Sequence, residues 1–282
     1  MLLSPVVSAL ALPALTACGA TGLIRTLRGK KGDMRLAEAG LGIGFLAGFW
    51  AVTGGLPFLG NVAYHQLGEA VALALGVGLI TALVGAGPGF TKFLGLAGAL
   101  FAVVWLTGWR QLMAPTVEEL LTIVVYGAIA AAAALRLAAL GPGATPIAVT
   151  GLAALALAFV ALFGHAAGTS DLALALAGAC LGSLVWAWPL GRAGVGPATI
   201  AVLATGFTGL MVAEARGALH APWALLPLPL AFWAPEIADR LPALGRLARK
   251  KPTRPLALLF AAALPCAAAV GLAFLLGTRL YF

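Results

Sequence analysis

Apolar residues run along this chain in long blocks, and polar residues gather in the short breaks between them. The blocks are about 20 residues long, the length at which a helix crosses the hydrocarbon core of a bilayer. Windows of that size place spans near 3–24, 38–56, 69–87, 92–109, 118–138, 145–164, 171–190, 195–213, 221–238 and 255–277. The stretches Leu152 to Leu162 and Leu256 to Leu264 show none of the period-two alternation of a barrel strand and are rich in Ala and Leu. Backbone in lipid must satisfy its own polar groups, and a helix does so within each segment. The pattern therefore predicts an all-α fold over 1–282, a single polytopic bundle of about ten transmembrane helices. Pro13, Pro227, Pro229 and Pro265 fall inside predicted spans, where neighbouring helices re-satisfy the freed backbone groups. The 37 glycines predict close helix–helix approach. No soluble domain, low-complexity linker or internal repeat stands out.

Composition agrees. Hydrophobic residues make up 62% of the chain, charged residues 9%, and the mean hydropathy is +1.05. A soluble domain carries roughly 25% charged residues, so these charges are too few to cover a surface facing water.

Charge placement adds the orientation. With the N-terminus external, the cytoplasmic segments hold Arg25, Arg28, Lys30, Lys31 and Arg35, then Lys92, Arg136 and Arg192. The last inner loop adds Arg240, Arg246, Arg249, Lys250, Lys251 and Arg254, and only Arg110, Arg216 and Arg279 fall outside. That asymmetry follows the positive-inside rule and puts both termini outside. The net charge of +8 is then a topology signal. Basic residues at span ends without interleaved aromatics argue against nucleic-acid binding.

Leu15-Thr16-Ala17-Cys18 has the look of a lipoprotein box, yet the basic cluster follows the apolar stretch, the reverse of a secretory signal. Cys180 and Cys266 lie within spans and read as small core residues. Among the acids, Glu69, Glu118, Glu119, Asp171 and Glu214 map to the outer side or outer span ends, and Asp33, Glu38, Glu236 and Asp239 to the inner side. His65, His165 and His220 map to outer loops without metal-ligand spacing. With no central carboxylate and no arginine run in a span, the sequence gives little sign of a proton relay or voltage sensor. The Trp residues sit mostly near span ends, as in an interfacial belt.

Two inner features carry possible chemistry. Arg25 to Arg35 clusters Arg and Lys around Asp33, and Pro235-Glu236-Ile-Ala-Asp239-Arg240 ends the ninth span before the basic loop. Carboxylates there are candidate Mg²⁺ ligands, and the basic residues are candidate phosphate binders. Plain juxtamembrane charge drawn to anionic headgroups accounts for the same pattern.

The order of segments resembles the polyprenyl-phosphate sugar-1-phosphate transferases, glycosyltransferase family 4, which include phospho-MurNAc-pentapeptide translocase. The stretch Asp171 to Thr199, running through Arg192 and Gly196, is similar to the family helix that enters N-x-P-P-A-R-I-F-M-G-D-x-G-S. Leu225 to Asp239 resembles its late span with a P-x-x-D end, and Lys30-Lys-Gly-Asp33-Met-Arg35 followed by Gly40-Leu-Gly-Ile-Gly44 resembles its K-G-x-x-D to G-G stretch. The resemblance implies a UDP-sugar donor, undecaprenyl phosphate as acceptor, Mg²⁺, and the bacterial cytoplasmic membrane. The family's D-D pair is replaced by Val84 to Lys92, its N-x-x-N-x-x-D-G by Ala128 to Arg136, the Asp of F-M-G-D by Pro197, and its His-rich loop by Arg249 to Arg254. Ala, Gly and Pro supply no side-chain oxygen, and phosphoryl transfer between two anions needs carboxylate-held Mg²⁺.

The expectation is thus a catalytically degenerate relative with no catalytic residues of its own and no expected cofactor. It would bind a lipid phosphate or headgroup through Arg25, Arg28, Lys30, Lys31, Arg35, Lys92 and Arg192. Its setting would be cell-envelope polysaccharide assembly, with membrane lipids, polyprenyl phosphate among them, and a membrane protein as partners. One rival is an active transferase whose Mg²⁺ is held by Asp33, Glu236 and Asp239. Another is an unrelated transporter or lipid exporter with Thr81, Tyr126 and Thr205 along its path.

Overall fold

The computed structural model describes residues 7–28, 34–55, 63–85, 87–108, 113, 115–141, 143–188, 195–217, 222–248 and 253–278, and among them all regular structure is helical. A π-turn over Val7–Ala11 opens α1 (Leu12–Arg28), and a 3-10 turn over Met34–Glu38 opens α2 (Ala39–Thr53). There follow α3 (Ala63–Val84), α4 (Pro88–Thr107), α5 (Val117–Ala139), α6 (Ala144–Phe163), α7 (Ala167–Ala187) and α8 (Pro197–Gly217). Short pieces come next: α9 (Pro222–Leu225), a 3-10 turn over Leu228–Trp233, α10 (Ala234–Arg240) and α11 (Pro242–Ala248). The chain closes with α12 (Arg254–Thr278).

Eight helices among the described residues are long and apolar enough to cross a membrane, and the apolar part of α5, Ile123–Ala139, is a shorter ninth. The protein is an all-α, polytopic integral membrane protein. Large apolar side chains such as Leu73, Ile80 and Val84 of α3 and Phe260, Leu264 and Leu275 of α12 are exposed, as a lipid-facing surface requires.

The predicted span at 221–238 is not one helix. Pro222, Pro227, Pro229 and Pro235 each lack a backbone N–H, and a proline inside a helix also clashes with the carbonyl four residues back. Spaced this closely, they leave only α9, the 3-10 turn and α10. Phe207 of α8 holds the 3-10 turn from inside, its ring meeting Phe232 edge to face at 5.3 Å.

Helix α8 is the axis of the bundle: 89% of its spanning window is buried, packed on α3 and α4 and touching α2, α5, α6 and α7. Around it α6 packs on α7 and α12, and α1 packs on α2 and α7. The seating of α1 depends on glycine. Gly40, Gly44 and Gly48 of α2 lie against Thr21, Ala17 and Pro13, and Gly178 and Gly182 of α7 lie against the carbonyls of Leu10 and Ala14. Spacing of four residues puts each set on one helix face, so backbones meet without intervening side chains. A methyl at any of these five glycines would overlap its neighbour.

The alternation of helix directions brings Arg25, Lys92, Arg136, Arg240, Arg246 and Arg254 to one end of the bundle, here termed the basic end. The contacts of Gly22 with Trp186, Gly196 with Glu38 and Gly95 with Ile200 tie that end together.

Candidate functional site

At the basic end, α1 runs one turn past Thr21 and presents Arg25, half-buried, over the ring of Trp186, with the guanidinium carbon 5.2 Å from the ring centroid. The ring is fixed in turn. Its Nε1–H donates to the Cys18 carbonyl at 2.9 Å, and its edge lies on Gly22, where an added Cβ would sit 2.9 Å from Cζ2. One guanidinium nitrogen of Arg25, Nη1, is buried with no hydrogen-bond partner. A desolvated charged donor in that state is poised for an anionic acceptor.

The rest of the predicted basic set is spread around this end. Lys92 is exposed in the first turn of α4. Arg28 ends α1, and Arg35 lies in the 3-10 turn before α2. Lys30, Lys31 and Arg192 lie outside the described residues, as does Asp33 of the acidic set. Glu236 of α10 forms an ion pair with Arg136 of α5, and Arg136 lies over Trp233 at 5.1 Å from the ring centroid. Asp239, one turn on, is exposed. Among the described residues no three His, Cys, Asp or Glu side chains gather as a metal-ion cluster.

A third charged group at this end is buried among the helices. Glu38 is 8% exposed rather than solvated, and its carboxylate lies against the Cα of Gly196, where any side chain would overlap it. Gly196 caps α8: its carbonyl accepts the N–H of Ile200 at 3.0 Å. Glu38 shares a cavity of about 10 Å³ with Thr21, Ser183 and Thr199, closed by Ala37, Leu41 and Ile147. The Thr21 and Ser183 hydroxyls are buried there without a hydrogen-bond partner. Thr21 Oγ1 is packed on Gly40, another position that only glycine fits. An acid thus reaches Gly196, beside Pro197, from the 3-10 turn that precedes α2. The legible signal was an acid at the first position of an apolar span instead of in a loop.

Other polar groups lie apart from this end. Glu214 of α8, assigned above to an outer span end, is fully buried three residues before the helix ends, with both carboxylate oxygens lacking a hydrogen bond and Thr169 as a polar neighbour. Arg216 beyond it donates to the Leu106 carbonyl at the end of α4. Of the residues proposed for a transport path, Thr81 bonds back to the Val77 carbonyl at 2.8 Å. Thr205 lines an apolar groove of about 260 Å³ between α3, α4 and α8, whereas Tyr126 lines a separate small cavity beside Phe207. No family model matches this chain, and no curated protein matches it.

Proposed function

We propose that this protein is a catalytically degenerate relative of the polyprenyl-phosphate sugar-1-phosphate transferases that binds a lipid phosphate at its basic end. It would act as a non-catalytic partner in cell-envelope polysaccharide assembly in a bacterial cytoplasmic membrane. The observation carrying this reading is the Arg25 guanidinium, seated on Trp186 with a buried nitrogen that no protein group accepts from. A buried donor left unmade costs about 1–3 kcal/mol, more when charged. A phosphate oxygen arriving from the bilayer surface offsets that cost, and the basic residues that follow Arg25 attract it. Of the acids that a rearranged Mg²⁺ site would use, Glu236 is engaged through Oε1 by Arg136, Asp239 is exposed, and Asp33 lies outside the described residues.

The test is binding of undecaprenyl phosphate to the full chain in nanodiscs, with undecaprenol and phosphatidylglycerol as comparison ligands. Arg25→Gln is expected to weaken undecaprenyl phosphate about 10–100-fold, the worth of one charge-assisted hydrogen bond. Equal binding of undecaprenyl phosphate and undecaprenol would remove the phosphate from the reading. Mg²⁺-dependent transfer from a panel of UDP-sugars is expected to give no product, and robust product would establish the active-enzyme rival instead.

A further inference from the structure

The Glu38 pocket combines features that each favour an anion. Thr199 lies in the first turn of α8 and Ile147 in the first turn of α6, so two helix N-termini, each carrying a partial positive charge, border one small cavity. The Thr21 and Ser183 hydroxyls, 2% and 5% exposed, line the same cavity with no hydrogen-bond partner, and a hydroxyl is free to rotate its proton toward an acceptor. Arg25 stands one helical turn from Thr21, and Trp186 one turn from Ser183, so the guanidinium extends the positive surroundings. Gly40 and Gly196 leave room for two of its lining residues, since a Cβ would overlap Thr21 Oγ1 at the first and the Glu38 carboxylate at the second. The Glu38 side chain lines the cavity as well, and the remaining space of about 10 Å³ is close to one water-sized sphere.

We infer that this is an oxyanion-binding pocket which the Glu38 side chain obstructs, leaving the Thr21 and Ser183 hydroxyls unused, and that it accepts a small free carboxylate once Glu38 is shortened. With Glu38 in place the pocket is closed to outside anions. A headgroup phosphate approaching the basic end then finds Arg25, one helical turn beyond Thr21, and not the α8 N-terminus. Glu38 therefore selects where an anion can sit. The inference stands on the pocket alone and does not require the lipid reading.

The experiment is thermal unfolding of the full chain in nanodiscs with acetate, using chloride at equal ionic strength as the control. Glu38→Ala is expected to lower the midpoint by several degrees and to recover part of the loss as acetate is raised, in a saturable way. The wild type and Glu38→Gln, whose pockets are occupied, are expected to show no acetate effect. An acetate response equal in all three proteins, or none in Glu38→Ala, overturns the inference. Glu38→Gln supplies a second arm should Glu38→Ala fail to fold. It keeps the shape and removes the charge, so it should unfold at a lower temperature than the wild type, and an unchanged or raised midpoint overturns the inference equally. Acetate rescue together with unaltered lipid-phosphate binding in Arg25→Gln would keep the pocket and discard the lipid site.

Discussion

At Gly196 the space for a side chain is already taken by the Glu38 carboxylate, whereas at Gly76 of α3 nothing lies within 4 Å of where a Cβ would stand. The two positions make a matched test of what glycine does here. Gly196→Ala is expected to destabilise the protein by about 1–3 kcal/mol, the usual cost of overpacking. Gly76→Ala should leave stability unchanged or raise it by up to about 1 kcal/mol through helix propensity. Unfolding midpoints of the two variants in one detergent would show the difference, and equal losses would contradict the close approach at Gly196. Glu214 offers a second residue-scale test. With neither carboxylate oxygen hydrogen-bonded and the side chain fully buried, its charge has little to hold it. Glu214→Gln is expected to cost less than about 1 kcal/mol, while Glu214→Ala, which leaves a hole in the best-buried helix, is expected to cost about 2–4 kcal/mol by analogy with other large-to-small core changes. A larger loss for Gln than for Ala would mean that the charge itself is needed.

At the scale of elements, helix positions were legible because lipid imposes a fixed apolar length on each one. The window at 118–138 finds α5 at Val117–Ala139, and that at 145–164 finds α6 at Ala144–Phe163. The same measure failed at 221–238, because proline is compatible with an apolar average and the window does not count missing N–H groups. The broken segment has to be held from outside, and the Arg136–Glu236 pair with Trp233 stacked on Arg136 fastens α10 to α5. Both partners are more than a third exposed, so the pair is worth about 0–1 kcal/mol after solvent screening. Arg136→Gln is accordingly expected to shift the global midpoint little. Its effect should show locally, as faster amide exchange over 234–240 than in the wild type. Unchanged exchange there would show that Phe232 and the core alone hold the segment.

For the whole molecule, the charge asymmetry predicts that the basic end faces the cytoplasm. Single cysteines at His165 and at Asp239, in a chain whose three native cysteines are replaced, should report it. An impermeant maleimide applied to intact spheroplasts is expected to label position 165 and to reach position 239 only after lysis. The reverse pattern would invert the topology. The candidate site was less legible than the fold, for a definite reason. Arg25 could be marked because a basic residue at a span end has few readings. Thr21, Ser183 and Thr199 come from three helices spread along the chain, and each alone looks like an ordinary helix hydroxyl. Only packing reveals that they share one cavity with Glu38.

The two glycine faces that grip α1 also bear on how the protein is made. Gly40, Gly44 and Gly48 leave the ribosome soon after α1, so α1 and α2 can enter the bilayer as a hairpin. Gly178 and Gly182, which receive the Leu10 and Ala14 carbonyls, are synthesised only after four further spans. Until then one side of the first helix lacks its neighbour. The nascent chain must carry an unfinished segment through much of its own translation, and a stop codon anywhere before α7 would leave that face of α1 without the surface it packs on.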